Sequence, residues 1–252
     1  MHVPLPITVC MMCLNEERHL KKLLTQVPEF AEWILLDTGS TDASAEIGRG
    51  AGATVRSIAW SGFSETRRQH FAMASQPWIL WIDADEEVTQ DLVDELRRLF
   101  ARGPTHTAYR INRIMYFEGK WIRHGEWYPD RVLRLFRTDR WTMPTREVHE
   151  SLLVNGTLGS LRAELPHYSY QDWHDRNQRI EKYAKLWAVQ ETAKGRKSCF
   201  LEPWMRASWR FFRACFIKHG VADGWLGIQV AWSCAREVYL KYRALEMLRT
   251  MP

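Results

Sequence analysis

The sequence has few cysteines and lacks any long apolar run. Its five cysteines are an odd number, which does not indicate a disulfide framework. Cys10 and Cys13 form a C-x-x-C pair, but no second pair accompanies it, so a structural zinc site is not expected. The longest apolar candidate, 221–240, is interrupted by three charged residues and falls short of a membrane span of about 20 residues. No basic stretch precedes the first apolar run, so we expect no secretory signal and a reducing, cytoplasmic compartment.

What the sequence does contain is ample core material and an uneven charge. Apolar residues make up 46% and charged residues 26% of the 252 residues, which excludes wholesale disorder. Residues 1–175 carry 20 Lys and Arg against 24 Asp and Glu, whereas residues 176–252 carry 15 against 6. Thirteen tryptophans are many for this length. The composition predicts an acidic globular body followed by a basic, aromatic-rich region.

Hydrophobic periodicity predicts strands and helices in alternation over the first hundred residues. Short apolar runs predict strands at 7–14, 33–36, 53–58 and 78–82, and amphipathic patterns predict helices at 17–24, 65–74 and 90–100. A further helix is expected after the turn at Asp37–Asp42, with Ser40 or Thr41 as its N-cap. Shorter strands are expected within 101–170 and helices from about residue 172. This alternation predicts an α/β fold with a mostly parallel sheet.

Acidic and polar residues follow three of the predicted strands. Asp83 and Asp85 end the fourth, Asp37 ends the second, and an Asn-Glu-Glu run at 15–17 ends the first. Ligands of open α/β sheets bind outside the carboxyl ends of the strands, where these groups should meet. Two carboxylates at i and i+2 suit a hard divalent cation shared with substrate phosphates. The alternative is an acidic first helical turn, which the helix dipole favours.

The motifs carry a family likeness when taken in chain order. They read VCMMCLNEE, ILLDTGSTD, WSGF and WILWIDADE, followed by GKWIRHGEWYPDRVLRLFR, VHE and HYSY. This combination resembles family 2 glycosyltransferases with the GT-A fold, and within them the lipopolysaccharide core β-1,4-glucosyltransferase group. The resemblance implies a Rossmann-like, mixed and mostly parallel sheet flanked by helices. We expect this catalytic domain at 1–170 and a helical, basic extension at 171–252.

The resemblance also implies a nucleotide-sugar site. The residues that match the donor-binding positions of the family are Asn15, Glu16, Glu17, Asp37, Arg67 and Asp83. Asp37 matches the acid that reads the base, usually uracil, and Arg67 matches a basic position near the donor phosphates. Asp85 matches the principal ligand of a divalent cation, Mg²⁺ or Mn²⁺, with Asp83 nearer the ribose. His149 is expected to complete the metal site, and His167 is the competing histidine.

An inverting transfer needs a carboxylate that takes the proton of the attacking hydroxyl. Asp130, whose position is similar to that of an acidic residue in the family, is the predicted base, and Glu126 is the alternative. An ion pair of Asp130 with Arg131 or Arg134 is the competing structural interpretation. Aromatic side chains suit the apolar faces of sugar rings, so the segment around His124 is the predicted acceptor loop. Its candidate residues, which ordinary packing would explain equally well, are Trp121, His124, Trp127 and Tyr128.

The C-terminal region has the pattern of an interfacial helix. Arg206, Arg210 and Arg213 fall on one stripe beside an apolar stripe made by Met205, Trp209, Phe212 and Phe216. Such helices lie on membrane surfaces, although packing on the body with solvated arginines would give the same pattern. We therefore expect peripheral contact with an anionic membrane, at the cytoplasmic face of the inner membrane. No nucleic-acid-binding motif is visible.

Together these features predict an inverting, metal-dependent hexosyltransferase. By resemblance the donor is a UDP-hexose, in particular UDP-glucose, and the acceptor is a membrane-borne glycolipid such as the lipopolysaccharide inner core. An acceptor linked to a polyprenyl carrier or an exopolysaccharide intermediate is the alternative within the enzyme class. A non-catalytic, nucleotide-sugar-binding membrane scaffold is the alternative outside it.

Overall fold

The structure, a computed structural model, describes residues 3–144 and 152–250. The chain forms two compact units. The first comprises Met1–Arg113 and Arg131–His167, and the second comprises Ile114–Asp130 and Tyr168–Pro252. The segment 114–130, which carries the predicted acceptor residues, thus groups with the C-terminal helices.

The first unit opens with four strands that alternate with four helices. The strands are β1 (Leu5–Cys13), β2 (Phe30–Asp37), β3 (Thr54–Ser57) and β4 (Trp78–Asp83). The helices are α1 (Glu17–Leu23), α2 (Ser44–Gly50), α3 (Phe63–Ala72) and α4 (Gln90–Arg102), with a 3₁₀ segment at Leu24–Glu29. Each predicted element of this region is present.

Six further strands follow in the chain. They are β5 (Ala108–Phe117), β6 (Lys120–Ile122), β7 (Asp130–Arg137), β8 (Trp141–Thr142), β9 (Leu153–Val154) and β10 (Leu158–His167). Among the described residues the main sheet runs in the order β10-β5-β7-β4-β1-β2-β3, with β8 and β9 forming a separate pair. The strands β3, β2, β1 and β4 are parallel, and β7 is antiparallel to β4. This confirms a mixed, mostly parallel α/β sheet.

Strand register brings the predicted polar ends to one edge. Cys13 pairs with Asp37, Met12 pairs with Asp83, and Asp37 pairs with Ser57. Both faces of the sheet are covered: Val9 and Leu80 face a core with α1 and α4, whereas the neighbouring side chains of β1 and β4 face a second core with α3. Burial on both faces explains why these strands are continuous apolar runs rather than alternating ones.

Two local predictions were wrong or incomplete. Helix α2 begins at Ser44 with Ala43 at its N-cap, so Ser40 and Thr41 do not cap it. Those two residues instead bond to the loop after β1, as described below. The ten-residue strand β10 was not predicted, because its first half alternates exposed and buried positions around a glycine and gives no apolar run.

The second unit is built mainly from helices, as expected for the C-terminal extension. It contains α5 (Trp173–Ala193), α6 (Glu202–Phe212) and α7 (Gly224–Thr250), with a π-helical turn at Arg213–Ile217 and a 3₁₀ turn at Gly220–Asp223. Its core packs Phe117 and Ile122 against Leu226 and Val230 of α7. Within the described ranges, no helix has both the length and the apolarity to cross a bilayer.

Candidate active site

The loops after β1 and β2 hold each other in place. Asn15, whose φ of 56° lies in the left-handed region, donates its backbone N–H to Ser40 Oγ at 3.0 Å. Its side-chain oxygen accepts the backbone N–H of Thr41 at 2.8 Å. The Glu17 carboxylate accepts the N–H of Ala43 at 3.1 Å, next to the start of α2. Asn15 and Glu17 therefore shape the edge of the predicted donor site, because their side chains are engaged with the neighbouring loop.

Asp37 and Glu16 lie at the same edge. The Asp37 side chain is buried and accepts the backbone N–H groups of Ser40 at 2.9 Å and Gly39 at 3.4 Å. The backbone N–H of Glu16 donates to Ser44 Oγ at 2.9 Å, and the Glu16 side chain is half-buried. Asp37 thus has a fixed orientation at the end of β2.

Asp83 lies in a cluster of buried cations. Its carboxylate accepts hydrogen bonds from Arg67 Nη2 at 3.2 Å, from Arg134 Nη2 at 2.5 Å and from the indole N–H of Trp81 at 3.0 Å. Both guanidinium groups also lie over the Trp81 ring, 4.5 and 4.6 Å from its centroid. Burial opposes ionisation of Asp83, but Arg134 and Arg67 outweigh it and hold the pKa of this carboxyl well below its usual range.

Arg67 was expected near the donor phosphates. The structure buries its side chain, which is 5% exposed, against Asp83. This position favours a role in fixing Asp83 over a direct contact with a phosphate. Two arginines therefore compensate the negative charge of Asp83 at this edge.

Glu86 extends the cluster and was not predicted. Its side chain is fully buried and accepts hydrogen bonds from Arg134 at 2.5 Å and Arg113 at 3.2 Å. Burial raises the pKa of Glu86, whereas the Arg134 charge favours its carboxylate. The sequence did contain a signal: Arg134 interrupts the apolar strand VLRLF, and a buried arginine needs a carboxylate partner. A cavity of about 420 Å³ is lined by Asp83, Arg113 and Arg134.

Asp85 meets His167 at the end of β10. His167 Nε2 lies 3.2 Å from Asp85 Oδ2, and the two side chains are 11% and 31% exposed. Burial opposes ionisation of Asp85, but the hydrogen bond with His167 lowers its pKa below the usual value. The backbone supports this arrangement, because the N–H of Glu87 donates to the carbonyl of Pro166 at 2.9 Å. His167, the competing histidine of the sequence prediction, thus lies beside the D-x-D motif.

The other metal-site predictions have less support. His149, the first choice for the third ligand, lies outside the described residues. Within the described ranges, no three His, Cys, Asp or Glu side chains form a complete metal site. Cys10 and Cys13 are buried in β1, and burial raises the pKa of the Cys13 thiol to about 12.

The second unit places Glu126 among three cations. Its carboxylate accepts hydrogen bonds from Arg210 at 2.7 Å and from Arg213 at 2.7 and 2.9 Å, and Lys218 Nζ lies 3.6 Å away. Burial raises the pKa of Glu126, but Arg213, Arg210 and Lys218 outweigh this and lower it. Arg206 instead pairs with Glu202 at 2.7 Å. The three arginines of the predicted basic stripe are therefore all paired with carboxylates.

Asp130 and the predicted acceptor residues also belong to this unit. Asp130 is half-buried and begins β7 directly after the cis Tyr128–Pro129 bond. Trp127 packs inside, against Phe117 and Tyr170. Trp121 is 37% exposed and Tyr128 is half-buried.

His124 has a defined partner in the same unit. Its Nδ1 lies 2.8 Å from Asp223 Oδ1, and 42% of its side chain is exposed. Asp223, in the turn before α7, was not predicted, because 99 residues separate it from His124.

Comparisons with known proteins support the family resemblance that the sequence motifs indicate. The model of "Glycosyl transferase family 2" matches residues 8–154. A lipopolysaccharide core biosynthesis glycosyltransferase, LpsC of Rhizobium meliloti, is 27% identical over 94% of this chain and 93% of its own length. An uncharacterized glycosyltransferase of Rickettsia typhi is 24% identical over 88% of this chain and 80% of its own. Among solved structures, glucosyl-3-phosphoglycerate synthase of Mycobacterium tuberculosis is 24% identical, with a TM-score of 0.36, over 45% of this chain and 44% of that one.

Proposed function

Because the chain belongs to glycosyltransferase family 2, we propose that it is an inverting, metal-dependent hexosyltransferase that uses UDP-glucose and a membrane-borne glycolipid, the lipopolysaccharide inner core. The observation that carries the proposal is the pairing of Asp85 with His167 next to the arginine-held Asp83. This arrangement stands at the carboxyl edge of the sheet, where ligands of such folds bind. The LpsC likeness supports the acceptor class.

The residues at this edge fit a divalent cation. Octahedral ligands about 2.1 Å from Mg²⁺ stand about 3 Å apart, which is comparable with the 3.2 Å between Asp85 Oδ2 and His167 Nε2. Mg²⁺ is usually bound through one or two carboxylates and takes its other ligands from water and substrate phosphates. Asp85 and His167 would hold the cation, and Asp83, which Arg67 and Arg134 hold in a fixed orientation, would face the ribose. When bound, the cation supplies positive charge for the departing diphosphate.

Asp130 is the proposed base. Its carboxylate takes the proton of the acceptor hydroxyl while that oxygen forms a bond to the anomeric carbon. The bond from this carbon to the diphosphate breaks, and the diphosphate leaves with the electron pair. Glu126 is the weaker candidate, because three cations lower its pKa and occupy its oxygens.

The donor is tested by a thermal-shift panel of UDP-, GDP- and dTDP-sugars, each with and without Mn²⁺. A ligand that binds the native state raises the melting temperature. At a hundredfold excess over Kd it adds about 2.7 kcal/mol to the free energy of unfolding. We expect UDP-glucose with Mn²⁺ to give the largest shift, and transfer to a purified inner-core acceptor. A shift without transfer to any acceptor would favour the scaffold alternative, and transfer to a polyprenyl-linked acceptor would favour the other enzyme alternative. No shift with any nucleotide-sugar would contradict the proposal.

We also propose peripheral contact with an anionic membrane through the apolar stripe of α6 and of the π-helical turn that follows it at Arg213–Ile217. Met205, Trp209, Phe212 and Phe216 are each between 48% and 69% exposed. Since the neighbouring arginines pair with Glu202 and Glu126, the contact rests mainly on apolar burial. Replacing Trp209 and Phe216 by serine should lower binding to phosphatidylglycerol liposomes at least about tenfold, because two apolar side chains lose their burial.

A matched control uses two exposed apolar residues of α5. The pair Tyr183→Ser and Val189→Ser removes comparable exposed surface outside the stripe. Sedimentation with liposomes should be lost for the α6 pair and retained for the α5 pair. Equal sedimentation of both variants and the wild type would contradict membrane contact through α6.

A further inference from the structure

We propose that Asp223 positions His124 so that its outer ring nitrogen accepts a hydrogen bond from a hydroxyl group of the acceptor sugar. The sugar ring would stack beside it, on the half-exposed aromatic platform of Tyr116, Trp121 and Tyr168. The inference rests on the proposed function for the identity of the sugar, but the hydrogen-bonding pair stands on geometry alone.

The Asp223 carboxylate holds the His124 segment at three points. Oδ2 accepts the backbone N–H groups of Arg123 at 3.0 Å and His124 at 2.8 Å, while Oδ1 lies 2.8 Å from His124 Nδ1. A carboxylate can only accept, so Nδ1 of the ring is the donor. In the neutral imidazole this leaves Nε2 as the acceptor. Asp223 thus determines both the orientation and the tautomer of the ring.

Close backbone packing keeps the pair together. Gly125, with a φ of 82°, donates its N–H to the carbonyl of Lys218 at 2.8 Å. A Cβ built on Gly220 would lie 2.6 Å from the carbonyl oxygen of Ala214 and 3.5 Å from Gly125 Cα. The segment that carries His124 therefore lies directly against the turn that carries Asp223, and glycine is required at the contact.

Two of the three platform residues lie on the hairpin that precedes His124, and Tyr168 follows β10. Tyr116 and Trp121 are cross-strand partners of β5 and β6, with ring centroids 4.8 Å apart. Tyr168 lies 5.7 Å from Tyr116 and 6.1 Å from Trp121. The alternate residues Phe117 and Ile122 face the core, so period-two alternation turns the platform outward. Trp127, by contrast, is part of the core packing.

The oriented nitrogen of His124 and the aromatic platform together suit a polyhydroxylated ring better than an apolar ligand. Small-molecule sites combine an apolar or aromatic surface with a few fixed polar groups that give orientation and specificity. A hydrogen-bond acceptor held by a nearly buried carboxylate has little freedom to lose on binding. His124 and Asp223 would thus select the orientation of the acceptor, and Asp223 acts as a positioning residue.

The experiment titrates deacylated inner-core oligosaccharide, without donor, into the full-length protein by calorimetry. His124→Phe keeps the ring shape but lacks both nitrogens, and it should weaken Kd about tenfold, as expected for one lost hydrogen bond. His124→Gln places an amide near the Nε2 position and should retain most of the affinity. Trp121→Ala should weaken binding similarly, and Trp232→Ala, an exposed tryptophan of α7, is the control.

A second readout tests the pair itself. Long-range ¹H–¹⁵N spectra should show His124 as the Nδ1–H tautomer, with its signals assigned by their loss in His124→Gln. Asp223→Asn should shift this signature and weaken oligosaccharide binding at an unchanged affinity for UDP. Equal binding by wild type and His124→Phe would overturn the inference and leave the proposed function standing. Binding that depends on His124 without any sugar transfer would instead refute the proposed function and support the inference.

Discussion

Asp85→Asn is expected to lower kcat at least about 100-fold and to abolish the effect of Mn²⁺ on UDP binding. The reason is that a metal contributes several kcal/mol to stabilising the departing diphosphate, and about 1.4 kcal/mol corresponds to tenfold in rate. Asparagine preserves the size of the side chain and a hydrogen bond to His167 but removes the charge. Calorimetric titration of UDP with and without Mn²⁺ measures the binding effect directly.

The control for this variant is Asp139→Asn. Asp139 is an exposed carboxylate of the same unit, paired with Arg137 at 2.9 Å. The Asp139→Asn variant should leave both sugar transfer and the metal-dependent binding of UDP unchanged. His167→Ala should resemble Asp85→Asn in its loss of the Mn²⁺ effect. If UDP binding by Asp85→Asn still responds fully to Mn²⁺, the metal assignment to Asp85 and His167 is wrong.

Asp130→Asn should reduce kcat by a factor of about 10² to 10⁴, the usual contribution of a general base. Donor affinity should change little, because the base acts on the acceptor hydroxyl and not on the nucleotide-sugar. The measurement combines steady-state transfer rates with calorimetric titration of UDP-glucose in the presence of Mn²⁺. Loss of donor binding in this variant would place Asp130 in the donor site instead.

Two further substitutions make this result specific. Glu181→Gln removes an exposed carboxylate of α5 and should behave as the wild type. Glu126→Gln removes the partner of Arg210, Arg213 and Lys218, so its main effect should be on the melting temperature. A large loss of kcat in Glu126→Gln with full activity in Asp130→Asn would exchange the two assignments.

The strands and helices of the first unit could be predicted because the patterns that specify them are contiguous in the sequence. Strands buried on both faces must be short apolar runs, and parallel strands need crossover helices, so 7–14, 33–36 and 78–82 could be read as strands in alternation with helices. Because carboxyl ends of parallel strands share an edge, the sequence alone predicts that Asp37 and Asp83 lie together.

The charge pattern of the C-terminal region shows that partners distant in the sequence cannot be predicted from local patterns. Helical spacing correctly grouped Arg210 and Arg213 on one stripe, but it could not reveal that Glu126, more than 80 residues earlier, neutralises both. Net charge counted along the chain therefore overstated the charge available to a membrane. The same limit applied to Asp83, where Arg134 supplies compensation from an antiparallel strand that the sequence does not pair with β4.

The sequence by itself determined the α/β class, the acidic edge of the sheet, the D-x-D carboxylates and the family likeness, since these follow from periodicity and from motifs contiguous in the chain. The tertiary structure alone decided the partners: His167 beside Asp85, Arg134 on Asp83, three cations on Glu126 and Asp223 on His124. The physical reason is that a buried or oriented polar group must be satisfied by whatever the fold brings near it, and that partner can lie anywhere in the chain.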